Sequence, residues 1–181
     1  GAALRARAGF YTGRNCARCP RGGSGPRLHR PSLAMLPSSR ARRPVLLIVG
    51  CGDVGMRVLA LVRARWRVIA LTSSPARVPA LRAAGATPLV GDLDDPGSLG
   101  RLASLADAVL HLAPPARDGA SDRRTARLLQ ALARSARPRR IVYASTSGVY
   151  GDAGGERIDE TRTIRPATDR ARRRADAEAR L

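Results

Sequence analysis

Five consecutive apolar residues, Val45-Leu46-Leu47-Ile48-Val49, run directly into Gly50-Cys51-Gly52-Asp53-Val54-Gly55, and the chain continues as Met56-Arg57-Val58-Leu59-Ala60-Leu61-Val62. An unbroken apolar run of this kind, three of its residues β-branched, reads as a strand buried on both faces. The apolar spacing after the glycines is that of a helix. A G-x-G-x-x-G turn between such a strand and such a helix has a mechanical reading. Gly50 permits the tight turn, Gly52 lets a pyrophosphate approach bare backbone, and Gly55 lets the helix pack closely on the strand. The first N–H groups of the helix, including those of Asp53 and Val54, then offer a partial positive charge to phosphates. Glycines also occur in ordinary turns, but the strand-to-helix context favours dinucleotide binding.

Strand and helix patterns alternate from there on. The spacing predicts strands at 45–49, 67–72, 87–91, 108–112 and 140–145. Helices are predicted over about 53–64, 76–84, 98–105, 120–136 and from about 167 to the end, with Gly85 as a C-cap. This rhythm implies an α/β fold, a Rossmann-type doubly wound parallel sheet in three αβα layers.

Charge is distributed unevenly along the 181 residues. The formal net charge is +19, and all 33 basic residues are Arg. Residues 1–43 hold ten Arg and no acid, whereas 44–181 hold 23 Arg against 14 acids. The arginine bias reflects an arginine- and alanine-favouring coding composition more simply than selection for a basic surface. The 1–43 segment, rich in Arg, Gly, Pro and Ser, is expected to be a disordered basic extension. It fits a transit-type leader, an arm that binds nucleic acid, or upstream sequence that is not natively translated. Met35, ten residues before the first strand, favours the last and a start at that residue. Residues 44–181 are then the NAD(P)-binding domain. Cys16 and Cys19 form a lone C-x-x-C without a second pair, so no metal site is expected. No run of 18 apolar residues occurs, which points to a soluble, cytoplasmic protein with no membrane partner. Few aromatics and no recognised nucleic-acid module argue against nucleic acid as a ligand.

The carboxyl ends of the strands supply the candidate site. A NAD-selective loop carries an acid about 20 residues after the glycines to hold the ribose hydroxyls. This chain has Thr72-Ser73-Ser74 there, followed by Arg77. Small hydroxyls and a guanidinium suit a 2′-phosphate, so NADP is preferred over NAD. Asp92 and Leu93 either bracket an adenine ring or cap the next helix. Ala113, before Pro114-Pro115, sits in a rigid loop near the pyrophosphate, and His111 reads as a satisfied strand residue.

The stretch Ile141-Val142-Tyr143-Ala144-Ser145-Thr146-Ser147-Gly148-Val149-Tyr150-Gly151 resembles the short-chain dehydrogenase/reductase superfamily. The likeness is to its extended and atypical branches, the NAD-dependent epimerase/dehydratase-like proteins. The glycine loop and Gly91-Asp92-Leu93 fall in matching order, and the resemblance covers roughly 45–181. It implies an oxidoreductase or nucleotide-sugar epimerase/dehydratase, with Thr146 as the hydroxyl that hydrogen-bonds substrate. It also implies a dinucleotide cofactor, an unidentified small-molecule substrate and, as a further option, a homodimer.

The pattern departs at Pro-x-x-Tyr-x-x-x-Lys. Here Pro166 is followed by Asp169 and Arg173 at those two places, and the chain has no Lys. Standard Tyr/Lys catalysis is therefore not implied, and a non-catalytic NADP-binding sensor or scaffold is the alternative. Arg170, Arg172, Arg173 and Arg174 either face phosphates or, as a charge run on a helix usually does, form a solvated face. Members of the family continue beyond this point, so the chain is expected to be partial, with its carboxyl-terminal substrate lobe missing.

Overall fold

The computed structural model describes residues 42–181. The expectations placed on residues 1–41, including the disordered arm, the start at Met35 and the Cys16–Cys19 pair, lie outside the described residues.

Five parallel strands form one sheet in the order β3-β2-β1-β4-β5: β1 Val45–Val49, β2 Arg67–Thr72, β3 Thr87–Val90, β4 Ala108–His111 and β5 Arg140–Tyr143. Every β1 residue is buried, as the unbroken apolar run requires. Val45, Leu47 and Val49 pack with Leu99, Leu102, Leu128 and Leu132 on one face of the sheet. Leu46 and Ile48 pack with Leu59 and Leu81 on the other. Alternate residues of one strand thus feed two cores, and helices close both. α1 (Asp53–Val62) and α2 (Val78–Ala83) cover one face, and α3 (Arg123–Ala133) covers the other. α4 (Asp169–Arg180) follows β5 and contacts α3. The architecture is the expected three-layer doubly wound α/β fold.

Local sequence explains the boundaries. Gly85 has φ of +92° and ends α2 in a Schellman arrangement, with Gly85 N–H to Arg82 O at 2.9 Å and Ala86 N–H to Leu81 O at 3.0 Å. Asp122 caps α3, its Oδ1 accepting from the N–H groups of Arg124 at 3.0 Å and Thr125 at 3.2 Å. Thr168 caps α4 through Ala171 N–H at 3.2 Å.

One predicted element differs. The helix expected over 98–105 is a 3₁₀ segment, Pro96–Leu102, capped by Asp95 through Gly97 N–H at 3.0 Å. Gly97 and Gly100 weaken an α-helix there. Leu99 and Leu102, three apart and both buried, line up on one side of a three-residue turn.

Candidate functional site

The carboxyl ends of four strands converge on a cleft of about 450 Å³. β1 contributes Gly50, Cys51 and Gly52, and β2 contributes Thr72, Ser73, Ser74 and, just beyond, Arg77. Asp92 and Leu93 follow β3, and Ala113 and Pro114 follow β4. This is the crevice that open α/β sheets form where strand order reverses, here between β1 and β4.

Two of the three loop glycines sit where a side chain would crowd its neighbours. Gly50 has φ of +81°, and a Cβ on it would lie 2.6 Å from both Cα and N of Ala113. Nothing lies within 4 Å of where a Cβ on Gly52 would be, so the loop is open at that residue. A Cβ on Gly55 would stand 3.1 Å from Cys51 Sγ and 3.4 Å from Ile48, which is the close helix-to-strand contact. The first intrahelical bond of α1 runs from Met56 N–H to Gly52 O at 2.9 Å. It leaves the N–H groups of Asp53, Val54 and Gly55 without a partner among the described residues. Asp53, Val54 and Gly55 form the first turn of α1 and do not line the cleft. Burial pushes the Cys51 thiol up, and the Arg77 guanidinium partly offsets that shift.

At the end of β2 the Thr72 hydroxyl accepts Ser74 N–H at 3.2 Å and so shapes the turn, while Ser73 and Arg77 are exposed. Asp92 does not cap the following 3₁₀ segment, a role that Asp95 takes. Its Oδ1 accepts Asp94 N–H at 2.8 Å, and its own N–H donates to Ser98 Oγ at 2.8 Å. Leu93 is buried in the core beneath.

Sequence reasoning passed over Arg124. Its guanidinium ties the loop after β3 to the loop after β4, gripping the Asp94 carboxylate and donating to Pro114 O at 3.2 Å. The Arg124 hydrogen bond holds the Asp94 carboxyl below the usual range. The partner lies 30 residues away, and one arginine among 33 carries no local signal.

Thr146 lies apart from this cleft. It caps a 3₁₀ turn, Ser147–Tyr150, by accepting Gly148 N–H at 3.3 Å, and its side chain is exposed after β5. At the two positions of the departed Tyr and Lys, Asp169 is exposed and pairs with Arg172 at 2.7 Å, while Arg173 donates to Gly119 O at 2.8 Å. The solvated-face reading of the arginine run holds for Arg170 and Arg172 and fails for two others. Arg173 and Arg174 are each only 7% exposed. Arg174 donates to Tyr143 Oη at 2.9 Å and Ala144 O at 2.7 Å, and these acceptors draw it inward.

His111, also buried, is half satisfied. Thr125 Oγ1 donates to Asp122 Oδ2 at 2.7 Å and so accepts from His111 Nε2 at 2.9 Å. Nδ1 has no partner. Burial lowers the imidazole pKa to about 4, against the opposing pull of Asp122.

Comparison with known proteins agrees with this geometry. A family model described as NAD(P)H-binding matches residues 50–180. Among curated proteins, no sequence matches the chain. Several solved structures are similar. A functionally unknown conserved protein from Silicibacter pomeroyi is 31% identical, with a TM-score of 0.60 over 75% of this chain and 47% of that one. A short-chain dehydrogenase/reductase superfamily protein from Agrobacterium tumefaciens, solved with bound NAD, is 25% identical with a TM-score of 0.61, over 75% of this chain and 43% of that one. The Thermus thermophilus UDP-glucose 4-epimerase, in complex with NAD, is 26% identical with a TM-score of 0.60, over 76% of this chain and 49% of that one. The chain thus spans about half the length of the structures it matches. No helix among the described residues is long and apolar enough to cross a membrane. The strand order, the glycine loop at its reversal point and the family match over 50–180 together make this chain a member of the NAD(P)H-binding family, a Rossmann domain of the short-chain dehydrogenase/reductase type with a nicotinamide dinucleotide as its cofactor.

Proposed function

We propose that residues 44–181 are the cofactor-binding part of a cytoplasmic NADP(H)-dependent oxidoreductase or epimerase/dehydratase-type enzyme. The observation that carries the cofactor preference is the end of β2. Arg77 lines the cleft there beside Thr72 and Ser73, and no carboxylate stands at the strand end to hold a free ribose 2′-hydroxyl. A guanidinium can grip a 2′-phosphate through two parallel hydrogen bonds.

The other residues follow from the loops they occupy. Gly50 and Gly52, with the N–H groups of Asp53, Val54 and Gly55, hold the diphosphate. Asp92 and Leu93 flank the adenine, and Ala113 closes the loop against Gly50. Thr146 orients the substrate oxygen. When bound, the nicotinamide supplies or accepts hydride at C4. The substrate class is a nucleotide sugar or another small carbonyl or hydroxyl compound.

A second reading, a non-catalytic NADP-binding sensor or scaffold, is favoured by one observation. Asp169 is spent on Arg172, and Arg173 is turned to a backbone carbonyl, so neither position offers the usual proton-transfer pair. Thermal-shift titration of the full chain with NADPH and NADH side by side tests the cofactor assignment. A larger midpoint shift with NADPH is expected, because a ligand of the folded state alone stabilises in proportion to its affinity. No shift from a cooperatively folded sample overturns it. NADPH oxidation by any carbonyl in a panel, slowed by Thr146→Ala, excludes the scaffold reading.

A further inference from the structure

A second cavity, of about 810 Å³, adjoins the dinucleotide cleft and shares Pro114 and Arg124 with it. Its wall is made by the loop after β4 and the first turns of α3 and α4. Arg117, Arg123, Arg127, Arg170 and Arg173 line it together with Arg124, against only Asp94 and Asp118. Asp94 is already engaged by Arg124 and Arg127. Asp118 forms no ion pair among the described residues, and neither do Arg117, Arg123 and Arg170, which are exposed at the rim.

Arg173 is the decisive member. It is over nine-tenths buried, and among the described residues its one acceptor is Gly119 O at 2.8 Å and its buried Nε has no partner. No carboxylate lies within 4 Å of it among the described residues, and residues 1–43 contain no acid that could supply one. Arg173 is thus a buried cation with no carboxylate beside it among the described residues. A buried charge is tolerated where it is paired and hydrogen-bonded.

We infer that this cavity binds a phosphate-bearing small molecule, its phosphoryl oxygens taken by Arg173 at the base and by Arg117, Arg123 and Arg170 at the rim. The net positive lining favours a multiply charged phosphate ester or diphosphate over a single carboxylate. Its junction with the cleft at Pro114 and Arg124 makes the occupant a substrate, a step that rests on the proposed NADP(H)-dependent activity. The anion site itself does not depend on that activity.

Inorganic pyrophosphate, titrated into the full chain by thermal shift and calorimetry with and without saturating NADPH, tests the site. Binding is expected in both conditions. Arg123→Ala with Arg170→Ala, two exposed positions whose loss the fold tolerates, is expected to weaken pyrophosphate by at least about tenfold and leave NADPH affinity unchanged. Arg173→Met is expected to abolish the pyrophosphate shift. Absence of pyrophosphate binding, indifference to the paired variant, or competition between pyrophosphate and NADPH overturns the proposal; competition would place the phosphate in the cofactor's own loop. Pyrophosphate binding at these arginines without any NADPH response upholds the anion site and removes the dinucleotide reading instead.

Discussion

Gly50 and Ala113 meet so closely that a single methyl group on Gly50 would lie 2.6 Å from the Ala113 Cα and backbone nitrogen. The contact joins the carboxyl ends of β1 and β4, the two strands between which the sheet order reverses. Gly50 and Gly52 should therefore respond differently to the same substitution. Gly50→Ala forces both a left-handed backbone on a side chain and a displacement of Ala113, at a cost of about 1–3 kcal/mol for the strain alone. Gly52→Ala meets nothing within 4 Å and adopts an extended backbone that alanine accepts. Its stability should stay within about 0.5 kcal/mol of the parent while NADPH affinity falls by about tenfold or more. Urea denaturation with a cofactor titration separates the two, and equal destabilisation by both would contradict the geometry.

Arg77→Ala is expected to weaken NADPH by about 10- to 100-fold, the range for loss of a charge-assisted hydrogen bond, and to leave NADH nearly unchanged. Ser73→Asp should move the ratio further, since a carboxylate repels a 2′-phosphate and accepts from ribose hydroxyls. Parallel NADPH and NADH dissociation constants for the two variants decide it. An unchanged ratio would make Arg77 an ordinary surface arginine.

The sheet and the cleft were legible because their signals are local. Val45–Val49 carries both cores in five residues, and each glycine of the loop sits next to the backbone it must clear. Thr72 and Arg77, which line the cleft, follow from counting along the chain from that loop. The arginines of α4 were not legible, because hydropathy assigns them to solvent. Arg173 and Arg174 are drawn inward by Gly119 O and Ala144 O, acceptors 54 and 30 residues away. The 3₁₀ segment hid for a related reason, since Leu99 and Leu102 satisfy an α-helical spacing equally well. His111 reads as a routine strand residue, and only the fold shows that, among the described residues, one of its nitrogens is bonded and the other is not.

His111 gives the stability curve a definite window. Its pKa falls from 6.5 in the unfolded chain to about 4 in the folded one, so the folded state prefers the neutral ring. Between those values the unfolded chain holds a proton that the folded chain lacks, so stability declines as pH drops from 6.5 toward 4. The full change corresponds to about 3 kcal/mol. Asp94 and Asp176 have lowered values, and their contributions are lost only as pH falls below the ordinary carboxylate range. His111→Gln keeps a donor for Thr125 and does not titrate in this range, so it should flatten the slope between pH 4 and 6.5. A parent-like slope in that variant would assign the effect elsewhere.

Arg174 and Tyr143 form the tightest test of how the arginine helix is held. One Nη of Arg174 donates to the phenol oxygen at 2.9 Å, and its guanidinium carbon lies 5.3 Å from the Tyr143 ring centre. Burial raises the phenol pKa, and Arg174 opposes that rise. Removing the guanidinium should therefore raise it further, a shift visible by ultraviolet titration of the three tyrosines. Stability should separate size from charge. Arg174→Ala leaves the Ala144 carbonyl unpaired beside a void and is expected to cost about 2–4 kcal/mol. Arg174→Met refills the space but leaves the same carbonyl without its donor, so it is expected to recover only the packing part of that loss and to lie between the parent and the Ala variant. Combined with Tyr143→Phe in a double-mutant cycle, the arginine should show a coupling of about 1 kcal/mol. A Met variant as unstable as the Ala variant would mean that the hydrogen bonds to Tyr143 and Ala144, rather than packing, hold α4 against β5.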